Sequence, residues 1–562
     1  MRAAAAKVAR QAPQCAVGRA RRCAGAARTT KHGAGGTYST ATCARPLLHA
    51  PRHSLPAPNE TLPPMPKIQV SHSYFLRYDP KQWERGKPYP PLATLQVATL
   101  LRRHGHAVTL FDAMLADGVE EYQPSLHAAQ PDLVVFYEDN FNFLTKMCLS
   151  RMREAACRMI AEARAAGSRV IVAGSDASDH PKAFLAAGAH AVLIGEGIAA
   201  LLQLAERLQQ TPELDAAAWV ADVADIATAA QPQLNRAQIG ARPPDPRLSG
   251  LAAWDLVDIE RYRRLWLQRH GYFSLNMAAS RGCPFRCNWC AKPIWGNHYK
   301  RRSAPEVGAE MIHLKRAFAP DHIWMADDIF GFHIDWVEEF AAVLAAADGS
   351  IPFTIQTRAD LGSERMAAAL ARAGCAEAWI GAESGSQRIL DKMTKGTAVE
   401  DVIGARQRLG VQGIRVGFFL QLGYLDEQLD DILATRALVA KARPDDIGVS
   451  VSYPLPGTKF YQQVKNQLGR KTHWQDSDDL AMMFHGAYDS EFYRRVRDLL
   501  HRQVNLQCSE HARQPHDYAH DWAALDAQWQ ALIASEGRHR TDAAMPPAIT
   551  ACDRGIPLLQ RQ

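Results

Sequence analysis

Three cysteines fall within the stretch Ser280–Gly296, SRGCPFRCNWCAKPIWG, and no fourth cysteine follows nearby. Cys283, Cys287 and Cys290 have the spacing C-x3-C-x2-C. Three thiolates leave one position of a metal centre without a protein ligand, and an open position is typical of a metal that carries out chemistry. The stretch therefore predicts a catalytic metal centre, with the three cysteines as ligands.

The chain around this stretch alternates short apolar runs with helical patterns, which indicates parallel strands joined by helices. Six strands are predicted, at 273–280, 322–330, 353–360, 377–384, 414–423 and 446–454. Six strand-helix repeats over residues 266–465 predict a partial (β/α)6 barrel of the TIM type, with function at the carboxyl ends of its strands. The cysteines follow the first strand and so lie at that end.

A second alternating series precedes the barrel, over residues 65–210, with strands predicted at 67–75, 107–113, 131–140, 168–176 and 189–197. This pattern predicts an α/β fold with a doubly wound parallel sheet covered on both faces. Ligands of such sheets bind beyond the carboxyl ends of the strands. No GxGxxG motif occurs there, which argues against a dinucleotide.

The remaining segments are assigned by composition. Residues 1–64 are rich in Ala and Arg and have Glu60 as their first acid, so they are predicted to be a disordered leader, a transit peptide or a misassigned start. Residues 211–265 are predicted to be a linker, and residues 466–562 a helical region with a loose tail. No apolar run is long enough for a membrane span, and the scattered cysteines favour a reducing, cytoplasmic location.

The cysteine motif resembles the signature of the radical SAM family. That resemblance implies a [4Fe-4S] cluster on Cys283, Cys287 and Cys290 and S-adenosylmethionine on the fourth iron, which is cleaved reductively to a 5'-deoxyadenosyl radical. It also implies that S-adenosylmethionine contacts residues near the strand ends, namely Phe285, Trp289, Asp327, Asp328, Arg358, Glu383, Gly417 and Gly423. From spacing alone, a structural zinc site completed by His298 and simple packing of the cysteines stay open as alternatives.

The first domain resembles the cobalamin-binding domain that precedes many radical SAM domains, on the stretches 90–113 and 170–197. The usual Asp-x-His-x-x-Gly ligand pattern is altered, because Met114 stands where the histidine would be. The resemblance implies cobalamin bound without a histidine below it. The implied contact residues are Asp112, Met114, Tyr137, Gly174, Ser175, Gly195, Glu196 and Gly197.

The predicted function is therefore a radical SAM enzyme that uses cobalamin to methylate an unactivated carbon of a small molecule. Oxidative cyclisation or rearrangement of a tetrapyrrole-like or other secondary metabolite is the alternative within enzymes, and a non-catalytic cobalamin or redox sensor is the alternative from another class. An external electron donor such as flavodoxin or ferredoxin is expected. Nothing resembles a nucleic-acid-binding module, so nucleic acid and membrane are not expected as partners.

Overall fold

A computed structural model describes residues 65–541, except 148, 241, 249, 291–293, 296 and 513–517. The predicted leader, residues 1–64, and the end of the predicted tail lie outside the described residues. The architecture is α/β with two six-stranded sheets, which confirms the predicted fold class.

The first sheet is built from residues 67–227. Its strands are β1 (Lys67–Ser71), β2 (Ala107–Phe111), β3 (Leu133–Tyr137), β4 (Arg169–Ala173), β5 (Ala191–Leu193) and β6 (Ile226–Ala227). The strand order is β2-β1-β3-β4-β5-β6, and the first five strands are parallel. β3 and β5 are buried along their whole length, as expected for strands with helices on both faces. The order reverses between β1 and β3, where such sheets bind ligands.

Helices cover both faces of the first sheet. They are Pro80–Arg85, Leu92–Arg103, Tyr122–Ala129, Phe143–Lys146, Ser150–Ala165, Ser175–Asp179, Pro181–Ala186 and Ile198–Gln210. Two of them begin near the carboxyl edge of the sheet, at Ser175 after β4 and, beyond a turn over residues 194–197, at Ile198 after β5.

The predicted linker, residues 211–265, is more regular than its composition indicates. β6 pairs antiparallel with β5 and adds an edge strand to the first sheet. Helices follow at Ala216–Val220, Arg236–Ile239 and Ile259–His270. The pairing gives hydrogen-bond partners to backbone groups that a free linker would leave to water. A strand of two residues shows no hydrophobic periodicity, so the sequence did not predict it.

The second sheet forms the partial barrel. Its strands are β7 (Ser274–Met277), β10 (His322–Met325), β11 (Phe353–Thr357), β12 (Cys375–Glu383), β13 (Arg415–Leu422) and β14 (Asp446–Val451), all parallel, in the spatial order β14-β13-β12-β11-β10-β7. Between β7 and β10, the short strands β8 (Ser280–Gly282) and β9 (Tyr299–Arg301) form an antiparallel pair that flanks the cysteine stretch. All six predicted barrel strands are therefore present.

Helices connect the barrel strands and complete the carboxyl-terminal region. The barrel helices are Ala304–Phe318, Ile334–Ala346, Glu364–Ala373, Gln387–Lys392, Val399–Val411 and Leu429–Ala442. The helices that follow the barrel are Lys459–Val464, Ser490–His511, Tyr518–Ala534 and Glu536–His539. None of the described helices combines the length and apolar character that crossing a bilayer requires.

A histidine joins three barrel strands, and we expect it to make stability depend on pH. The His322 imidazole lies 2.8 Å from Ser274 Oγ and 2.8 Å from Thr354 Oγ1, and burial lowers its pKa to about 4. An unfolded histidine has a pKa near 6.5, so the contribution is present above that pH and is lost as the pH falls towards 4. The free energy of unfolding should fall in this window, with a slope of up to about 1.4 kcal/mol per pH unit from this group.

Urea unfolding at pH 7 and pH 5 tests this expectation. His322→Gln should reduce the difference between the two pH values, whereas replacing the exposed His127 by Gln should not. An unchanged difference in the His322→Gln protein would contradict the assignment.

Candidate functional site

The cysteine stretch lies at the carboxyl edge of the barrel, directly after β8. Cys283, Cys287 and Cys290 are half-buried and form no disulfide. Three sulfurs bound to one tetrahedral zinc, with Zn–S bonds of 2.3 Å, lie about 3.8 Å apart. Among the described residues, the three cysteine sulfurs do not all lie within 4.8 Å of one another, so at least one pair is farther apart than two sulfurs bound to one zinc ion.

Arg358 lies against the cysteine stretch. Its guanidinium carbon is 3.7 Å from the centre of the Phe285 ring, and Nη1 is 3.8 Å from Cys287 Sγ. The other side of the guanidinium donates to both carboxylate oxygens of Asp360 at 3.0 Å. Arg358 therefore places an N–H donor beside a cysteine sulfur, the type of contact that tunes iron–sulfur centres. Arg358 stays a predicted S-adenosylmethionine contact, although two of its guanidinium nitrogens already bind the Asp360 carboxylate.

Two carboxylates after β10 hold the backbone around the cysteine stretch. Asp327 accepts hydrogen bonds from Ala279 N at 3.0 Å and from the Ser280 hydroxyl, and burial raises its pKa to about 6. Asp328 accepts from Gly282 N at 3.0 Å and forms an ion pair with Lys146. Both predicted residues thus lie beside the site, and they fix the strand that leads into Cys283.

Glu383 ends β12 in a buried ion pair. Lys395 Nζ donates to Glu383 Oε1 at 2.7 Å, and both side chains are 6% exposed. The φ of Glu383 is +59°, a conformation that costs a non-glycine residue energy and often occurs at functional sites. A Cβ on Gly381 would lie 2.6 Å from both charged groups, so the glycine leaves room for the pair.

The structure separates the two predicted glycines of β13. Gly423 directly follows the strand, at the carboxyl edge. Gly417 is the third residue of the strand, and a Cβ there would meet the Trp379 ring at 2.6 Å. Gly417 therefore makes room for the Trp379 ring within the sheet, away from the carboxyl edge, and its role as an S-adenosylmethionine contact stays a prediction.

The two aromatic residues within the cysteine motif have different surroundings. Phe285 packs edge to face on Phe332, with ring centres 5.8 Å apart. Trp289 packs partly buried against an apolar cluster that includes Tyr424 and Phe460, and its indole N–H has no hydrogen-bond partner among the described residues. An unpartnered buried donor next to Cys290 is consistent with its prediction as a cofactor contact.

Asp112 binds a histidine that the sequence analysis missed. Asp112 Oδ1 lies 2.9 Å from His72 Nε2, and Tyr262 donates to Oδ2 at 2.7 Å. Burial alone lowers the pKa of His72, but Asp112 and the nearby Glu138 and Asp139 raise it overall. His72 directly follows β1. A histidine at the carboxyl end of the first strand was the sequence signal that could have identified it as a site residue.

Met114 packs in the apolar core, with 4% of its surface exposed. Its backbone N–H bonds Asp112 and its carbonyl accepts from Leu76, so the loop after β2 is held closely. The thioether is thus surrounded by apolar side chains. The binding of cobalamin without a histidine ligand on its lower side stays a prediction.

Other predicted residues of the first domain line the carboxyl edge of the first sheet. Tyr137 donates to the Glu196 carbonyl at 2.9 Å. Gly174 and Gly197 allow close approach to the side chains of Glu138 and Leu193, respectively. Gly195 has a φ of +80° and open space where a Cβ would be. It therefore presents bare backbone at the edge where ligands bind.

Buried polar atoms without partners cluster at this edge. Ser175 Oγ, Asn140 Oδ1 and Thr145 Oγ1 have no hydrogen-bond partner among the described residues. Such atoms are rare in folded proteins and indicate a missing polar partner. The corrin ring of cobalamin carries amide groups, so these residues and Gly195 fit that cofactor chemically.

Glu196 joins the first sheet to the barrel. Its carboxylate forms a buried ion pair with Arg281 and accepts from Trp295 Nε1 at 3.1 Å and from Asp245 N at 2.5 Å. The structure therefore places this carboxylate in a contact between the two sheets. Its role as a cobalamin contact stays a prediction.

Comparison with known sequences and structures shows the following similarities. The sequence model described as the Radical SAM superfamily matches residues 277–439. An uncharacterized methyltransferase of Pyrococcus horikoshii is 24% identical over 46% of this chain and 60% of its own length. Hopanoid C-3 methylase of Methylococcus capsulatus is 25% identical over 67% of this chain and 69% of its own length. The chain thus spans less than two thirds of the first of these relatives.

A solved structure shows a similar fold. It is the radical S-adenosylmethionine methyltransferase TsrM of Kitasatospora setae with cobalamin and a [4Fe-4S] cluster bound. It is 18% identical, with a TM-score of 0.57 over 71% of this chain and 78% of that one. The likeness extends over most of the chain and supports the fold.

Proposed function

We propose, because residues 277–439 match the sequence model of the Radical SAM superfamily, that this chain is a radical SAM enzyme that methylates an unactivated carbon of a small molecule with cobalamin. Cys283, Cys287 and Cys290 would hold a [4Fe-4S] cluster, and S-adenosylmethionine would bind beside it. When bound, the cluster supplies the electron that cleaves S-adenosylmethionine, and cobalamin supplies a methyl carrier. An external one-electron donor is required.

The observation that carries the proposal is the connection between the carboxyl edges of the two sheets. Glu196, after β5, pairs with Arg281 on β8. Lys146, after β3, pairs with Asp328 after β10. Arg281 lies two residues before Cys283, and Asp328 accepts a hydrogen bond from the backbone N–H of Gly282. A ligand on the first edge would therefore lie next to a cluster on the second.

The residues of this chain have distinct tasks in this scheme. Asp327 and Asp328 fix the backbone that enters Cys283. Arg358 directs an N–H group at Cys287 Sγ and shields one face of the motif by stacking on Phe285. Glu383 and Lys395 place a buried charge pair at the end of β12. The apolar side chains around Trp289 exclude water from the side of Cys290.

Methyl transfer is proposed ahead of oxidative cyclisation because the unpartnered polar atoms at the first edge suit cobalamin, which would carry the methyl group. The test is corrinoid binding by the purified chain. After loading with iron, sulfide and hydroxocobalamin and removal of free ligand, the protein should retain about one corrinoid per chain, read from its visible absorbance.

A matched pair of variants locates the binding. Gly195→Leu should lose the corrinoid, because the new side chain projects from the proposed edge. Gly240→Leu is the control, since Gly240 also has a φ of +80° and no atom within 4 Å of a Cβ. Both substitutions place a side chain at a positive φ, so each carries a backbone cost. Failure of the wild-type protein to bind corrinoid would exclude methyl transfer through cobalt and leave the oxidative alternative.

A further inference from the structure

Three exposed basic side chains lie within or just after the cysteine stretch. Arg286 lies between Cys283 and Cys287 and is exposed. Lys300 and Arg301 lie exposed on β9, where they pair with Arg281 and Ser280 of β8. Neighbouring strands are about 4.8 Å apart, so Lys300 and Arg301 lie one strand away from the residues that lead into Cys283. We call Arg286, Lys300 and Arg301 the basic patch.

The basic patch is not neutralised within the described part of the chain. Arg281 and Arg302, next to it in the hairpin, are paired with Glu196 and Glu310 in the interior. None of the three patch residues forms an ion pair with a described carboxylate, in contrast to these neighbours.

On the adjoining helix, Ile334–Ala346, two carboxylates already have a partner. Asp335 and the half-buried Glu338 are both paired with Arg365, and the exposed Glu339 forms no ion pair with any of the three patch residues. The three basic side chains therefore have no partner on this helix.

Aromatic packing joins this surface to the cysteine stretch. Tyr299, next to Lys300, packs on Phe332 with ring centres 5.4 Å apart, and Phe332 packs on Phe285. Phe285 lies between Cys283 and Cys287. The basic patch and the cluster ligands are thus parts of one packed unit, and a molecule bound to the patch lies close to the cluster position.

We propose that the basic patch is the docking surface for an acidic one-electron carrier protein of the flavodoxin or ferredoxin class. This inference rests on the proposed function, because the cluster must receive an electron from outside. One electron leaves the reduced carrier, which is oxidised by one electron, and the cluster is reduced by one electron. Opposite charges speed such encounters and make their rates depend on salt.

The experiment compares two reductants of the cluster-loaded enzyme. Reduction by reduced flavodoxin is followed anaerobically by the loss of cluster absorbance at low ionic strength. Reversing the two hairpin charges, in a protein with both Lys300→Glu and Arg301→Glu, should slow this reduction by about tenfold or more. The wild-type rate should fall as salt is added. Arg286 is left unchanged because it lies between two cluster ligands.

Two controls separate docking from damage to the cluster. Excess dithionite, a small reductant, should reduce the same fraction of the cluster in the double variant as in the wild type. Lys441→Glu changes an exposed charge at the end of the helix Leu429–Ala442, at the opposite edge of the barrel, and should leave the flavodoxin rate unchanged. An unchanged flavodoxin rate in the double variant overturns the proposal. A wild-type protein that dithionite cannot reduce overturns the proposed function and this inference with it.

Discussion

Replacing any one of Cys283, Cys287 and Cys290 by Ala removes the iron–sulfur cluster from the reconstituted protein and abolishes its activity. In the proposed function each thiolate would hold one iron of the cluster, and no described cysteine outside the motif lies in the same loop to replace it. The measurement is iron and sulfide content per chain, together with the visible absorbance of the purified variants. We expect a loss of most of the iron relative to the wild type.

The control is Cys157→Ala, which removes a thiol of similar burial on the helix Ser150–Ala165 of the first domain. This variant should keep the full iron content. A motif variant that binds as much iron and sulfide as the wild type would show that the cluster ligands have been misassigned.

Replacing Arg281 by Met lowers the free energy of unfolding by about 3–5 kcal/mol, the usual cost of leaving a buried charge without its partner. Arg281 and Glu196 are only 9% and 6% exposed, and the carboxylate keeps only neutral N–H donors when the guanidinium is removed. Urea unfolding of the purified chain measures the loss. The double variant Glu196→Gln with Arg281→Met should recover a large part of it, because no unpaired charge is then buried.

A surface pair nearby gives the comparison. Arg247 pairs with Asp245 but is 47% exposed, so Arg247→Met should change stability by less than about 1 kcal/mol. Equal losses in Arg281→Met and Arg247→Met would contradict the assignment of Glu196 and Arg281 to a buried contact between the two sheets.

The strands of both sheets were predictable because each is a short apolar run followed by a helical pattern. β3 shows this most clearly, since Leu133–Tyr137 form a continuous buried apolar run. The cysteine spacing also predicted the centre of the proposed site. These features depend on neighbours in sequence, which is where sequence patterns carry information.

The other parts of the site depend on residues distant in sequence. Glu196 and Arg281 are 85 residues apart, and Lys146 and Asp328 are 182 apart. No local pattern indicates such pairs, so the sequence could not predict that Glu196 pairs with Arg281. The packing of Gly417 was hidden for a related reason, because the Trp379 side chain that fills its space comes from the neighbouring strand.

The measurement that tests the account most directly is cleavage of S-adenosylmethionine by the cluster-loaded, reduced protein. Incubation without oxygen, followed by mass spectrometry, should show 5'-deoxyadenosine and methionine formed by the wild type and absent with Cys287→Ala. An intact, reduced cluster that forms no 5'-deoxyadenosine would contradict radical SAM chemistry and favour a non-catalytic sensor.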